Sequence, residues 1–502
     1  MLTAEKPQRV GIYFLLPLLA AACCVGLLLL VVVSRWDYPY ELEWIEGSVL
    51  QHVVRVLQGK PVYVLPDMEY APALYTPGYY YAAAVFARCL GAGLPALRAL
   101  SFSASLLSAV FIAGSVWTLT ASRLATLLAG LMWASVFRFT GFWFDIARVD
   151  SFWVCCLMGS LFCLLRCWRQ PAVLLHVLLA AVCLALSVTV KQSSLILLPF
   201  LAAAVFCWAG LRMATVFSAV VLLLLACFVG YMQYQSGGLF WFYTMAMAPH
   251  HGTTKGFPGH FFYGDLLFAI PVFIYLNIYF LLRSWVDAGK QKTVGLLAVF
   301  SGFFWMSFSS RYYIGGYLNG VMPLDFVVVL LAASGFFVFI SHVPSVWKKS
   351  LLTFWLVVNL VFSWYVPAAK IPTAADRAYG DALVARIKAV SGRVCLTRHS
   401  YLAFLAGKDF CAHETQLTDI VSSENADMKA RIFADVRQKI SQGFYQVLVI
   451  DSMPELSAYV SFDTIPYVAS DLDVDKRSPV FYPVVNGPRP RVWLEYKQQP
   501  LQ

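Results

Sequence analysis

Charged residues are scarce in this sequence. They make up 13% of its 502 residues, whereas hydrophobic residues make up 60%. Soluble globular proteins carry about 25% charged residues, and a water-soluble core cannot bury this much apolar surface. A lipid bilayer can accommodate it, because the hydrocarbon is itself an apolar solvent for helix surfaces. The composition therefore excludes an ordinary soluble protein and predicts an α-helical polytopic membrane protein.

The sequence also lacks the marks of nucleic-acid and metal binding. Its formal net charge is +10, but Lys and Arg form no basic patch. Many of them lie in short loops between apolar runs, as the positive-inside rule expects, so nucleic acid is not a predicted partner. No CxxC pair and no histidine cluster at metal-ligand spacing occurs, so no metal site is predicted.

Most of the 12 cysteines lie within or beside apolar runs, where Cys behaves as a small hydrophobic residue. Only Cys395 and Cys411 fall in the more polar C-terminal part. If that part is extracytoplasmic, the two can form a disulfide. Two unpaired thiols in a core are the alternative, and the sequence leaves both open.

Apolar runs stop well before the C-terminus. They alternate with short polar breaks from residue 10 to residue 365, and from residue 370 the composition is that of a soluble protein. We therefore predict a membrane domain over residues 1–369 and a soluble domain over residues 370–502. The first run shows no signal-peptide cleavage site and is expected to be a retained span. The candidate spans are Val10–Val33, Tyr75–Leu90, Leu97–Thr118, Leu124–Phe137, Ser151–Leu165, Leu174–Val190, Ser193–Ala209, Met213–Gln233, Asp265–Leu282, Thr293–Ser309, Leu318–Ser341 and Leu351–Val366.

The placement of Lys and Arg predicts the orientation of the chain. It marks alternate loops as cytoplasmic and puts loops 34–74 and 138–150, together with the soluble domain, on the outside. An even number of crossings must separate those two loops, but three apolar stretches lie between them. Leu124–Phe137 is the shortest of the three, and we expect it to be re-entrant or packed inside the bundle. About eleven spans then remain.

Ionisable residues gather at the external ends of the spans. A transporter or lipid flippase would place them near the centres of broken helices and would show an internal repeat, and neither feature is apparent. The pattern favours a site at the membrane surface, where a lipid-borne substrate meets a second one. A transporter or flippase stays an alternative, as does a non-catalytic scaffold in envelope assembly.

Loop 34–74 carries the acidic residues Glu41, Glu43 and Glu46. From Glu43 to Gln58 apolar residues recur at helical spacing, which predicts a helix lying in the membrane interface. A carboxylate held there can act as general base on an acceptor hydroxyl or amine. The alternative is that these are ordinary solvated loop charges.

Three basic residues on the same side, Arg148, Lys191 and Arg311, are candidates for binding a phosphate. Arg148 and Asp150 lie together before a span, where pairing of the arginine with a neighbouring carboxylate is the structural alternative. Lys191 ends another span and either snorkels to the interface or binds phosphate as a point charge. Arg311 belongs either to an aromatic interfacial belt or to a phosphate clamp.

Loop 233–264 is long and rich in Gly and aromatic residues, which is typical of a mobile lid. Its histidines, His250, His251 and His260, are candidates for contacts with a sugar or a phosphate. Tyr75, at the start of the second candidate span, is a further candidate for substrate contact.

These segments resemble the GT-C superfamily of polytopic glycosyltransferases, which use polyprenyl-phosphate-linked sugars. The similarity is carried by an acidic residue at the start of a first-loop helix, with Glu46 lying 13 residues before Gly59, and by the Tyr-Thr-Pro sequence that begins at Tyr75. It extends through residues 138–155 and 186–195. The closest resemblance is to the protein O-mannosyltransferase and lipid A aminoarabinose transferase branch.

The resemblance implies an inverting transfer at the extracytoplasmic face of the plasma (inner) membrane. The donor would be a polyprenyl-phosphate sugar and the acceptor an envelope lipid, glycan or protein. No cofactor is required, because the polyprenyl phosphate leaves as a stable anion. A first-loop carboxylate would be the base: Glu46 matches best by position and Glu43 is the reserve. The family residue is usually Asp and is often followed by Glu, whereas here it would be Glu46 followed by Gly47. Asp150 matches a second acidic residue of the family, and Lys191 matches a basic residue that contacts the lipid phosphate.

The C-terminal part alternates helical and extended patterns, which predicts a small α/β domain. We expect it to pack on the external face or to help select the acceptor. The predicted helices are Asp376–Val390, Ser400–Leu405 and Asn425–Gly443, and the predicted strands are Arg393–Thr397, Phe444–Asp451 and Val492–Tyr496.

Overall fold

The computed structural model describes residues 7–168, 174–247, 252–254, 256–457, 459–460, 465–472 and 480–497. Most of them are helical. The helices of the membrane domain are α1 (Pro7–Arg35), α2 (Glu46–Leu57), α3 (Gly78–Leu90), α4 (Leu94–Thr120), α5 (Arg123–Met132), α6 (Asp150–Arg166), α7 (Leu174–Val190), α8 (Leu197–Ala209), α9 (Leu211–Gln235), α10 (Pro271–Asp287), α11 (Lys290–Tyr312), α12 (Met322–His342) and α13 (Val346–Phe362).

Shorter helical pieces connect these helices. Single α-helical turns lie at Leu239–Trp241, Phe257–Gly259 and Pro454–Ser457. The 3₁₀ turns are Trp133–Val136, Gln192–Ile196, Leu318–Val321 and Pro367–Lys370. The π-helical segments are Phe242–Ala246 and His260–Phe268.

Helix α12 is the centre of the bundle. Its most apolar stretch is wholly buried, and it packs against α4, α5 and α10. Helix α9, by contrast, is apolar on all sides and exposes Leu222 and Leu223, as expected of a helix that faces lipid. The polytopic helical fold predicted from composition is confirmed.

The predicted count of about eleven spans is not confirmed. Among the described residues, six helices are long and apolar enough to cross a membrane, or up to eight if each bent pair is one span. Several predicted spans form shorter helices. Helix α3 has 13 residues, about 20 Å at 1.5 Å per residue, less than the roughly 30 Å of a hydrocarbon core.

One predicted span, Asp265–Leu282, is broken. The segment Phe257–Phe268 and α10 meet at 83°. Pro271 is the first residue of α10, and because proline has no N–H and a fixed φ it starts a helix readily but cannot continue one. The predicted re-entrant stretch Leu124–Phe137 forms α5 and the following 3₁₀ turn, and α5 packs against α1, α4 and α12.

The C-terminal domain has the predicted α/β character. Four helices, α14 (Ala374–Ala389), α15 (Ser400–Leu405), α16 (Glu414–Ser422) and α17 (Ala426–Ser441), accompany four strands, β1 (Val394–Leu396), β2 (Val447–Ile450), β3 (Tyr467–Asp471) and β4 (Val492–Tyr496). The sheet order is β1-β2-β4-β3. Strands β1 and β2 are parallel, whereas β4 is antiparallel to both β2 and β3. The predictions did not include α16 and β3.

Cys395 and Cys411 form a disulfide in this domain, with Cα atoms 5.6 Å apart. The bond closes a loop that includes α15, and both residues are fully buried.

We expect the double variant Cys395→Ala/Cys411→Ala to unfold more easily by about 3 kcal/mol, because closing a loop of this length removes chain entropy from the unfolded state. Thermal unfolding of the purified protein in detergent, with and without reductant, measures the effect. Reductant should lower the melting temperature of the wild type and leave that of the double variant unchanged. An equal response of both proteins would contradict the prediction.

The C-terminal domain covers the first-loop helix. The first eight residues of α2 are all buried, although the sequence predicted a helix lying in the membrane interface. Helix α15 packs against α2 from the side of the soluble domain and α3 from the side of the bundle. The apolar stripe seen in the sequence therefore contacts protein rather than lipid.

Candidate functional site

Glu46 begins α2 and is fully buried, at 0% exposure. Its carboxylate accepts hydrogen bonds from the Arg98 guanidinium at 2.7 and 3.1 Å. It also accepts them from the backbone N–H groups of Leu42 and Ala147, each at 2.7 Å. Burial alone would raise the pKa of Glu46, but Arg98 and the hydrogen bonds outweigh it and lower the pKa. This carboxylate joins loop 34–74 to loop 138–150, and each of its oxygens accepts two hydrogen bonds.

Glu43 lies three residues earlier and is also buried, at 1% exposure. Its Oε2 atom accepts hydrogen bonds from Arg148 Nη1 at 2.7 Å and from the Ile45 N–H at 3.2 Å. Its Oε1 atom accepts none from the described residues. Burial raises the pKa of Glu43 to about 7, and the Arg148 charge only partly offsets it. Glu43 can therefore exchange a proton near neutral pH.

Arg148 and Glu43 form one ion pair, and Lys191 and Asp150 form a second. Lys191 Nζ lies 3.0 Å from Asp150 Oδ1, and Asp150 Oδ2 accepts a hydrogen bond from Trp143 Nε1 at 3.0 Å. The Arg148 charge also acts on Asp150, so the two pairs are neighbours and their charges alternate. We call Glu43, Arg148, Asp150 and Lys191 the charged row.

Aromatic rings border the charged row. Lys191 Nζ lies 4.4 Å from the centre of the Trp153 ring and 5.6 Å from that of Tyr75. The Arg148 guanidinium lies 5.7 Å from the Trp143 ring. Arg148 Nε is buried and has no hydrogen-bond partner among the described residues. The Lys191 side chain is 12% exposed. The cations of the charged row therefore keep N–H groups that can donate hydrogen bonds to a bound anion.

The other predicted site residues are placed differently. Arg311 pairs with Asp265 at 2.8 Å and donates to the Gly316 carbonyl. His260 is exposed, and no contact between it and the charged row occurs within the described part of the chain. His250 and His251 lie outside the described residues. The structure thus brings together Glu43, Arg148, Asp150, Lys191 and the Tyr75 ring.

Glu41 does not point into solvent as a loop charge would. It is buried and meets His399 of the C-terminal domain, with Glu41 Oε2 and His399 Nδ1 2.5 Å apart. Sequence reasoning missed this contact and also the partner of Glu46. The available signal for Arg98 was its place in an apolar run, since ionisable residues in such runs usually have a specific partner.

A cavity of about 620 Å³ lies beside the same loop. It is lined by Arg55, Tyr63, Asp67, Glu69 and Tyr70, together with the end of α9. The charged row does not line it. In the described part of the chain, no group of three or more His, Cys, Asp or Glu side chains is arranged to hold a metal ion.

Comparison with known proteins gives structural neighbours only. No family model and no curated protein matches the sequence. The structure of ArnT from Cupriavidus metallidurans bound to undecaprenyl phosphate is similar with a TM-score of 0.61 and 11% identity, over 95% of this chain and 97% of that one.

Two further neighbours are glycosyltransferases of other kinds. The oligosaccharyltransferase AglB from Archaeoglobus fulgidus, in complex with an inhibitory peptide and a dolichol-phosphate, gives a TM-score of 0.52 and 9% identity over 87% of this chain and 69% of that one. The mycobacterial arabinofuranosyltransferase AftD gives a TM-score of 0.51 and 13% identity, over 99% of this chain and 40% of that one. At 9–13% identity these similarities concern the fold alone, and the predicted GT-C-like fold is confirmed.

Proposed function

We propose that this chain, whose fold is GT-C-like, is a membrane glycosyltransferase that uses a polyprenyl-phosphate-linked sugar. The acceptor is an envelope lipid, glycan or protein, and transfer takes place at the extracytoplasmic face of the plasma membrane. The neighbours ArnT and AglB, whose structures contain undecaprenyl phosphate and a dolichol-phosphate, support this class of donor.

The observation that carries the proposal is the charged row. Through Arg148 and Asp150 it connects the Glu43 carboxylate, whose pKa burial raises to about 7, with a partly exposed cation, Lys191. A transfer from a phosphate leaving group needs both: a base for the acceptor and positive charge for the departing anion. A transporter or lipid flippase is less well supported, because these pairs lie at the ends of helices beside the loops.

In the proposed reaction the acceptor oxygen attacks the anomeric carbon and gives its proton to the Glu43 carboxylate. The bond from that carbon to the phosphate oxygen breaks on the opposite face, so the configuration inverts. The polyprenyl phosphate leaves as an anion, and Lys191 and Arg148 offset its charge. The anion is stable on its own, so the proposal requires no cofactor.

We assign the base to Glu43 rather than to Glu46. Position in the sequence favoured Glu46, but its two oxygens already accept four hydrogen bonds. An acceptor hydroxyl could reach it only by displacing Arg98 or a backbone N–H group. Glu43 has an oxygen that accepts no hydrogen bond from the described residues. Asp150 is assigned to hold Lys191, and Tyr75 to border the donor.

The direct test is incubation of the purified protein in detergent with a set of polyprenyl-phosphate sugars, followed by mass spectrometry for freed polyprenyl phosphate and glycosylated acceptor. Release that depends on the protein is the expected result. No release from any donor, with the protein folded and candidate acceptors present, would overturn the proposal.

For the variant Lys191→Ala we expect a loss of about 10–100-fold in kcat/KM for the donor, the usual worth of a hydrogen bond to a charged group. The double variant Lys191→Ala/Asp150→Asn should lose as much activity as Lys191→Ala. It should fold better than that single variant, because it leaves no unpaired buried carboxylate. Lys348→Ala, an exposed lysine at the start of α13, is the matched control and should keep wild-type kinetics. Wild-type kcat/KM in Lys191→Ala would remove Lys191 from the donor site.

A further inference from the structure

Glu43 sits in a stretch of backbone that the C-terminal domain holds on both sides. The Val485 N–H donates to the Leu42 carbonyl at 3.0 Å, and the Trp44 N–H donates to the Asn486 carbonyl at 3.2 Å. Glu43 itself pairs with Asn486 in a short parallel bridge. The residues before and after the proposed base are therefore hydrogen-bonded to residues more than 400 positions later in the chain.

The packing at this contact is close. A Cβ atom added at Gly487 would lie 2.5 Å from Trp44 Cβ. His413 Nε2 lies 3.3 Å from the Trp44 carbonyl oxygen, within hydrogen-bond distance. Gln416 donates to Ser48 Oγ at 2.5 Å, in the first turn of α2. The loop that carries Glu43 thus has little freedom while the C-terminal domain is in place.

His399 supplies the charge at the centre of this contact. Its Nδ1 atom is 2.5 Å from Glu41 Oε2, and its Nε2 atom is 3.5 Å from Asp451 Oδ1 at the end of β2. Glu41 Oε1 accepts a hydrogen bond from the Gly47 N–H at 3.1 Å, in the first turn of α2. His399 therefore acts on the start of α2 through one intervening side chain.

An imidazole between two buried carboxylates carries a proton. Burial alone would lower the pKa of His399, but Asp451 and Glu41 outweigh it and raise the pKa to about 10. Arg398 lies 3.7 Å from Asp451 and is itself shared with Glu414. At neutral pH the imidazolium is the positive charge that both Glu41 and Asp451 contact, so its loss would remove the ion-pair partner of the buried Glu41 carboxylate.

We propose that the C-terminal domain fixes the position of the Glu43 carboxylate in the transferase site, and that His399 is a positioning residue that acts through Glu41. The proposal rests on the proposed function. It gives the soluble domain a part in the chemical step. A displacement of about 1 Å at a reacting group can cost 10²-fold in rate, so the backbone contacts at Leu42 and Trp44 have a direct effect on the base.

The experiment compares His399→Gln and Glu41→Gln with wild type and with His342→Gln, a matched histidine at the far end of α12. We expect kcat for sugar transfer to fall by about 30–100-fold in the first two variants. The donor KM should change by less than about threefold, because the contacts that hold Lys191 come from the membrane domain. The rise of kcat/KM with pH should also move from about pH 7 to lower pH, because a displaced Glu43 is less buried and its pKa falls. His342→Gln should match the wild type.

Amide hydrogen exchange of residues 41–48 is the readout that needs no activity. In His399→Gln these amides should exchange at least about tenfold faster than in the wild type, with the disulfide intact and the membrane domain unchanged. If the wild type transfers no sugar but exchange rises as stated, the proposed function fails and the mechanical contact stands. Wild-type kcat and unchanged exchange in both variants would overturn the positioning role and leave the proposed function untouched.

Discussion

Replacing Glu43 with glutamine is expected to lower kcat for sugar transfer by about 10²–10⁴-fold, the usual contribution of a positioned general base. Glutamine keeps the size of the side chain and can still accept a hydrogen bond from Arg148, but it cannot take a proton from the acceptor. Binding of the donor should change little, since Lys191 and its partners stay in place. Freed polyprenyl phosphate, measured by mass spectrometry over time, gives the rate.

The pH profile provides a second signature of the same group. Because burial raises the pKa of Glu43 to about 7, the carboxylate is protonated below that pH and cannot act as a base. The wild-type kcat/KM should therefore rise with pH and level off above about 7, and the Glu43→Gln variant should lose this rise.

Asp37→Asn is the matched control for this variant. Asp37 is in the same loop, its side chain is 77% exposed, and it pairs only with Arg377 among the ion pairs of the described residues. Exposed pairs of this kind contribute about 0–1 kcal/mol, so activity should stay near that of the wild type. If Glu43→Gln kept wild-type kcat with an unchanged pH profile, Glu43 would not be the base.

Replacing Glu46 with alanine should instead destabilise the fold. The change leaves the Arg98 guanidinium buried without its carboxylate and frees the N–H groups of Leu42 and Ala147. Removing one partner of a buried ion pair costs about 3–5 kcal/mol. The variant should therefore melt at a lower temperature in detergent and give less folded protein.

The double variant Glu46→Leu/Arg98→Leu separates this effect from a role in catalysis. Without an unpaired charge it should regain part of the lost stability, since apolar replacement of a buried pair is often close to neutral. Thermal unfolding measures both variants. A Glu46→Ala protein that melts with the wild type and yet transfers no sugar would return the role of base to Glu46.

Local patterns in the sequence predicted many elements well. Leu174–Val190, Ser400–Leu405 and Val492–Tyr496 form the predicted helices and strand with the predicted bounds. Helical and extended segments follow from periodicity and from the length of apolar runs, which are properties of neighbouring residues. The number of spans was less predictable, because a break before Pro271 divides one apolar run and some predicted spans form helices as short as α3.

The sequence by itself determined that this chain is a polytopic helical protein with a C-terminal α/β domain, and that its ionisable residues gather beside loops such as 34–74 and 138–150. Only the tertiary structure decided which hydrogen bonds each carboxylate accepts and whether Cys395 and Cys411 are joined. Glu43 and Glu46 share one local pattern, but they have different partners. Glu43 pairs with Arg148, 105 residues away in the sequence, and Glu46 pairs with Arg98, 52 residues away. Pairings over such distances are set by how the helices and the C-terminal domain pack around the loop, and no local pattern records them.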